Sequence, residues 1–345
     1  MQTLPKIRER FSLVSHVGGG STMGYKLAGF DVIGCNEIDP RMNEVYIKNH
    51  NPKYNFCCDI REMVDLAKRK ALPEELYNLD ILDGSPPCSS FSICGNREED
   101  WGKEKHFREG QKKQVLDTLF FDFIALAKEL RPKVVVAENV KGILIADAIK
   151  YVRKIYDDLS DAGYYCSHFL LNASKMGVPQ NRERVFFVCL RKDLAGQFLY
   201  DSSLFEQTPY IDMSFNENTI PMKDFVDYKG KTLGGEYLKL WKEHCEGESS
   251  LADACFRVKG KASFFCETIA YENKACPTLT AQNKVLHHGH PCRLSVNEVL
   301  CVSSFPQDYN FCGQNFGYVC GMSVPPVMMA QIASRIYEQW LSKIN

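Results

Sequence analysis

Short apolar runs alternate with helix-patterned stretches over roughly the first 190 residues, and this rhythm limits the available folds more than any other feature. Phe11 to Val17 reads as a strand ending in Gly18-Gly19-Gly20, with a helix following through Ala28. Asp31 to Cys35 reads as a second strand, closed by Asn36-Glu37-Ile38-Asp39, and Tyr54 to Cys58 as a weaker third, closed by Asp59. Leu79 to Leu82 is the fourth, and Lys133 to Ala137 is the fifth, opening into Glu138-Asn139-Val140. Helical spacing runs from Leu116 to Leu130, stopped by Pro132, and again from Ile149 to Leu159. Two further strands are predicted over Tyr164 to Leu171 and Arg184 to Leu190. Strands and helices in alternation predict an α/β fold with a doubly wound, mostly parallel sheet.

After Leu190 the rhythm fails. Residues 191–277 carry turn formers and irregular apolar runs, which predicts a second, smaller domain. Helical spacing returns from Val324 to Leu341, so the expected division is residues 1–190 plus 278–345 as one domain and 191–277 as the other. A chain of 345 residues with 45% hydrophobic and 25% charged content has the composition of a soluble globular protein. Forty-two basic residues against 43 acidic ones give no global attraction to a polyanion, so any such partner has to be met by local patches. The second domain has 11 basic and 14 acidic residues, and its one basic cluster is Arg257-Val258-Lys259-Gly260-Lys261. That cluster reads either as a solvated face or as a phosphate contact. The 15 cysteines are scattered, with no Cys-x-x-Cys pair, so the reading is free thiols and no metal. No leader and no apolar run of membrane-spanning length is read, and a cytoplasmic location is expected.

The stretch with the sharpest chemistry is Asp83-Gly84-Ser85-Pro86-Pro87-Cys88-Ser89-Ser90-Phe91-Ser92. It follows a buried-strand pattern, which puts the thiol at a strand's carboxyl end, where open α/β sheets place their ligands. Two consecutive prolines fix φ near −65° and stiffen the mount. A cysteine that merely fills a core needs no such mount, so Cys88 is the candidate covalent nucleophile. Glu138, at the end of the neighbouring predicted strand, is the candidate proton partner: in a half-buried pocket its pKa would rise. The alternative is an acid capping the next helix. Arg182 and Arg184, two residues apart at a strand's start, face one side and suit carbonyl or phosphate oxygens; a surface ion pair is the alternative. The glycine run with Glu37 downstream fits an adenosine-containing ligand, with the acid accepting from ribose hydroxyls; a plain tight turn is the alternative.

Taken in order, these segments resemble the cytosine-C5 DNA methyltransferase family. The series is the glycine loop, Asn36-Glu37-Ile38-Asp39, Asp59-Ile60, Ser85-Pro86-Pro87-Cys88, Glu138-Asn139-Val140 and Gln180-Asn181-Arg182-Glu183-Arg184. It closes with Phe305-Pro306-Gln307-Asp308-Tyr309 and Gly321-Met322-Ser323-Val324-Pro325-Pro326. The resemblance implies a Rossmann-like methyltransferase domain, with target recognition in 191–277. It implies S-adenosylmethionine as methyl donor, with S-adenosylhomocysteine as product. The donor would be held by Ser15, Gly18, Gly19, Gly20, Glu37, Ile38, Asp59, Ile60, Gly84, Pro86, Ser323 and Val324. It implies double-stranded DNA as substrate, with the target cytosine flipped out. Cys88 would add to carbon 6 while Glu138 attends ring nitrogen 3; Arg184, with Arg182, would hold the carbonyl oxygen. Residues 89–113 would form the catalytic loop, and Ser90, Ser92, Arg97, Lys103, Lys105 and Arg108 would meet DNA, as would Arg257, Lys259 and Lys261. A cognate restriction enzyme and a monomeric state are part of the same expectation.

The chain departs from the family pattern at Ser15, where phenylalanine is usual, at Val17, where glycine is usual, and at Met322, where asparagine is usual. Cys301 and Ser303 replace an arginine and a glutamine. Among rival readings, a tRNA-directed relative would carry Cys-Phe-Thr, and the nearest match here is Cys266-Glu267-Thr268. A non-catalytic relative has no need to keep Cys88, Glu138 and Arg184. A nicotinamide dehydrogenase has no use for Pro-Pro-Cys, and an amino-group methyltransferase wants an aromatic residue after the prolines.

Overall fold

The computed structural model describes residues 11–15, 19–86, 118–145, 148–203, 206–260 and 265–344. The apolar runs form strands β1 (Phe11–Ser15), β2 (Asp31–Asn36), β3 (Tyr54–Phe56), β4 (Ile81–Gly84), β5 (Val134–Val140) and β6 (Tyr164–Asn172). The two-residue β7 (Gln180–Asn181) and the long β8 (Glu183–Arg191) follow. One sheet takes the order β3-β2-β1-β4-β5-β8-β6. Its pairs β1–β2, β1–β4, β2–β3 and β4–β5 are parallel, and β8 runs antiparallel to β5. Both faces of the central strands are covered: Val134, Val135 and Val136 are fully buried, as expected of a sheet with helices on each side.

Helices α1 (Gly20–Leu27), α2 (Pro40–His50), α3 (Ile60–Lys68), α4 (Leu119–Leu130) and α5 (Ala148–Asp161) supply the crossovers. Their ends follow from local chemistry. Asp39 caps α2 by accepting from Arg41 N, with Pro40 in the first turn, where its missing N–H costs nothing. Asp59 caps α3 in the same way. Arg131 ends α4 in the left-handed region, just before Pro132. Phe120, Phe123, Leu126, Ala127 and Leu130 form one buried stripe on α4, and the Phe120 ring meets Phe187 of β8 edge-on at 5.5 Å.

Three departures from the sequence reading have physical causes. β3 stops at Phe56 instead of Cys58, because the Asn36 side chain donates to the carbonyls of Phe56 and Cys58 and replaces the ladder there. β5 continues to Val140, three residues past its parallel pairing with β4, because β8 extends the ladder to Val140↔Arg184. β8 turns back against β5 because only the short turn Ala173–Lys175 and β7 lie between it and β6, too little for a helical crossover.

Two compact units are present. The first comprises Met1–Leu171, Glu183–Ser214 and Ala330–Asn345; the second comprises Asn172–Arg182 and Phe215–Met329. Residues 191–214, expected in the second domain, thus belong to the first unit, whereas 172–182 and 278–329, expected in the first, belong to the second together with 215–277. The first unit also holds the antiparallel hairpin β9 (Leu199–Ser203) and β10 (Glu206–Pro209). The second unit is short-stranded, as the irregular sequence predicts. Its helices α6 (Gly235–Glu243) and α7 (Leu251–Lys259) share a small core with β11 (Thr268–Ala270) and β13 (Val285–His287), which pair in parallel. Strand β12 (Cys276–Pro277) pairs with β7. Helix α8 (Val296–Val302) places Glu298, fully buried, against His287 at 3.1 Å, and α9 (Phe316–Met322) follows. The last helix, α10 (Pro326–Gln339), carries the chain back into the first unit, where Trp340 Nε1 donates to Tyr210 O at 2.8 Å. Against the expectation of no membrane-length run, Phe316–Lys343 has the length and hydropathy of one, with 67% of its apolar window buried inside the protein, as in a core helix.

Candidate active site

The strand order reverses at β1, whose two neighbours β2 and β4 lead to opposite edges of the sheet, so the carboxyl ends of β1 and β4 border the crevice where such sheets bind ligands. Ser15 pairs with Gly84, and Gly84 pairs with Ala137. The carboxyl ends of β1 and β4 and the start of the Glu-Asn-Val segment of β5 therefore lie side by side in the sheet. Gly84 has a packing reason to be glycine: a Cβ there would stand 2.4 Å from the ring of Phe123 on α4. That ring is buried among other core side chains and has little room to yield. Gly84→Ala is expected to destabilise the protein by about 1–3 kcal/mol through overpacking, read as a lowered Tm; an unchanged Tm would contradict this packing.

Glu138 lies inside β5 and not at its end, opposite Phe186, while Arg184 lies opposite Val140. The two side chains are diagonal neighbours on one face of the ladder, within reach of each other. Arg184 Nε sits 2.9 Å from Glu138 Oε1, and the Ser85 hydroxyl donates to Glu138 Oε2. Both members of the ion pair are largely enclosed, with side chains 15% and 9% exposed. Burial pushes the Arg184 guanidinium below its ordinary pKa, and the Glu138 carboxylate opposes that shift. Asn139 Nδ2 donates to Pro86 O at 3.2 Å, tying the first proline of the loop to β5. Ser85, Pro86, Glu138, Asn139 and Arg184 thus form one connected group.

Arg182 has a different set of partners. It falls between β7 and β8, and its buried guanidinium donates to the carbonyls of Leu279, Gly321 and Ser323 at 2.9, 2.9 and 3.1 Å. The expected pair of arginines is therefore divided between an ion pair at Glu138 and a backbone clamp in the second unit. Ser323 and Val324 are buried in that second unit, and the Ser323 hydroxyl donates to Val319 O at 2.7 Å within α9.

On the other side of the crevice, Gly19 precedes α1 with φ 66°, and a Cβ there would overlap His50 at 2.0 Å from Nε2. His50 is held down to about pKa 4, first by burial and then by Lys26. Gly20 is buried in the first turn of α1. Glu37 Oε1 accepts from Asp39 N at 2.8 Å, which orients that carboxylate at the carboxyl end of β2. Ile38, next to it in sequence, and Asp59 and Ile60 at the start of α3 are half-buried, and Asp59 is occupied as the cap of α3. Ser15 is placed by its backbone alone, and Gly18 lies outside the described residues, as do Cys88, Ser90, Ser92, Arg97, Lys103, Lys105, Arg108 and Lys261. Arg257 pairs with Glu248 at 2.7 Å and Lys259 pairs with Glu236, so both of these basic side chains already have acidic partners on the protein.

Two groups escaped the sequence reading. Asp83 is a fully buried acid in the central strand β4, and Tyr25 of α1, equally buried, lies close enough for the Asp83 charge to act on its hydroxyl. The Tyr25 hydroxyl is held well above its ordinary pKa by burial, then by the Asp83 charge. The signal in the sequence was an acid following Ile81-Leu82, where a buried parallel strand predicts an apolar residue. The other is Arg61, which no motif marks and which pairs with Asp122 as well as with the motif residue Asp59.

The fold is that of a methyltransferase. The chain superposes on Spodoptera frugiperda DNMT2 with a TM-score of 0.66 at 17% identity, over 95% of this chain and 100% of that one. On S. pombe Dnmt2 methyltransferase it does so with a TM-score of 0.58 at 16% identity, over 96% and 99% of the two chains. At these identities the likeness is one of fold alone. The chain belongs to the C-5 cytosine-specific DNA methylases, whose family model matches residues 9–338. It is 31% identical over 348 residues to the Type II methyltransferase M.FnuDI of Fusobacterium nucleatum, across 94% of this chain and 93% of that protein. It is 34% identical over 346 residues to the Type II methyltransferase M.Eco47II of Escherichia coli, across 95% and 78% respectively.

Proposed function

We propose that the chain methylates carbon 5 of a cytosine flipped out of double-stranded DNA, using S-adenosylmethionine and a covalent Cys88 adduct at carbon 6. The observation that carries the reading is the connected group Ser85–Glu138–Arg184, set directly beside the strand end that leads to Cys88. The residues on the β1 and β2 side fit the donor. Gly19 offers backbone with no room for a side chain, and Glu37 presents a carboxylate fixed by a main-chain N–H. Gly18, Gly19 and Gly20 would hold its amino-acid part, Glu37 its ribose and Ile38, Asp59 and Ile60 its adenine. When bound, S-adenosylmethionine supplies an electrophilic methyl group to carbon 5 of the activated ring.

The protein's own groups do the rest. The Cys88 thiolate adds its electron pair to carbon 6, forming a C–S bond and making carbon 5 nucleophilic. Glu138 holds ring nitrogen 3 by a proton shared with the ring, which lets the ring take up negative charge. Arg184, already anchored on Glu138, holds the carbonyl oxygen. Loss of the carbon-5 proton returns an electron pair to the ring and breaks the C–S bond, releasing the thiolate. Residues 191–277 would read the DNA site with Arg257, Lys259 and Lys261 on phosphate, and the Type II names of the relatives extend the proposal to a companion restriction enzyme. The chain would act as a monomer.

The test is trapping on fragmented genomic DNA that carries 5-fluorocytosine, where the fluorine cannot leave as a proton does. With S-adenosylmethionine present, a denaturation-resistant adduct should form and map to the peptide containing Cys88. Adduct formation on tRNA but on no DNA, or at another residue, would sink the reading.

A further inference from the structure

Arg61 lies in the first turn of α3, and every partner described for its side chain belongs to one of two places. Its Nη1 is 3.2 Å from Asp59 Oδ2, in the corner proposed to receive adenine. Its Nε is 3.0 Å from Asp122 Oδ2, and its Nη2 donates to Thr118 Oγ1 at 3.0 Å. Thr118 and Asp122 are the cap position and first turn of α4. The next residue, Phe123, is the ring packed against Gly84, from which the chain runs into Ser85 and its hydrogen bond to Glu138. One guanidinium therefore joins the donor corner to the helix that props the catalytic strand end.

We propose that Arg61 is a positioning residue, locking the Asp59 corner to the first turn of α4 so that the donor site and the Ser85–Glu138 group keep one fixed spacing. This deepens the functional reading above and rests on it. The fork geometry is the reason for arginine. Two oxygens accept from two different N–H groups of one planar ion while a third, on Asp122, lies within ion-pair distance of its Nε, an arrangement that a lysine ammonium on a flexible stem does not reproduce. The two carboxylates are the reason the ion is needed. Asp122 is half-buried; burial raises its pKa, Arg61 lowers it and the Asp59 charge raises it again. Without the guanidinium, Asp59 and Asp122 would repel across the gap, and the cap on α3 and the start of α4 would shift apart.

The experiment uses the full chain and reads S-adenosylmethionine binding by calorimetry, together with KM for S-adenosylmethionine and kcat on methylatable DNA. Arg61→Ala should weaken S-adenosylmethionine binding and raise its KM by about tenfold, the scale of lost charge-assisted hydrogen bonds. Arg61→Lys should restore only part of this. Adding Asp122→Asn to Arg61→Ala should recover part of the lost affinity by removing the repulsion, which loss of a mere surface contact would not allow. A Tm of Arg61→Ala close to that of the unmutated protein confirms that the fold is kept; with collapse of the fold, the Lys variant and the double variant carry the test. Binding by Arg61→Ala equal to that of the unmutated protein, or no recovery in the double variant, overturns the role of Arg61 alone. Absence of S-adenosylmethionine binding by the unmutated chain overturns the functional reading, and this proposal with it.

Discussion

Cys88→Ala should abolish methyl transfer to DNA and should leave no adduct on 5-fluorocytosine substrate, while S-adenosylmethionine still binds. Carbon 5 of cytosine is a poor nucleophile until a group adds at carbon 6, so removing the thiolate takes away the only covalent activation the mechanism has. Loss of a nucleophile of this kind lowers turnover by several orders of magnitude, because its partners cannot act without it. The rest of the mount is unaffected: Gly84 remains paired between β1 and β5, and Asn139 still holds Pro86 O. The corner proposed for the donor lies at the ends of β1, β2 and β3 and does not depend on the thiol. Residual turnover, or an adduct equal to that of the unmutated protein, would remove Cys88 from the mechanism.

Glu138→Gln should keep donor binding and lower kcat by about 10²–10⁴-fold, the usual worth of a positioned proton-transfer group. The amide can still accept from Arg184 Nε and meet Ser85, so the local geometry survives. What is lost is the ionisable group, and with it both the capacity to share a proton with the ring and the counter-ion of an enclosed guanidinium. A lowered Tm should accompany the loss of rate, since an arginine left without its acid in a buried pair is strongly destabilising. Assays below the variant's own transition separate the two effects. Turnover equal to that of the unmutated enzyme there would exclude Glu138 from the chemistry.

The sheet was legible in the sequence because buried parallel strands are near-continuous apolar runs, and helix ends such as Asp39-Pro40 and Arg131-Pro132 carry their own signals. What could not be read were features set by partners distant in the chain. The extension of β5 to Val140 depends on β8, which is more than 40 residues further on. A spacing of two made Arg182 and Arg184 look like one pair, but the ladder is broken between β7 and β8, and Arg182 turns to carbonyls at Leu279, Gly321 and Ser323. The basic run at Arg257 looked open to phosphate until helices α6 and α7 and the turn between them brought Glu236 and Glu248 beside it. Asp83 and Arg61 show the same limit: a charged residue announces that it needs a partner and does not say which one.

The antiparallel ladder between β5 and β8 also bears on how such an enzyme can change over generations. Val140 faces Arg184, and Glu138 faces Phe186, with alternate residues pointing to opposite sides of the sheet. Inserting or deleting a single codon within Glu183–Arg191 would send the arginine to the far face, whereas replacing one aliphatic residue by another there would only adjust packing. Selection on this strand therefore acts first on its length and only then on its letters, and variation in size is pushed outward into the connecting loops.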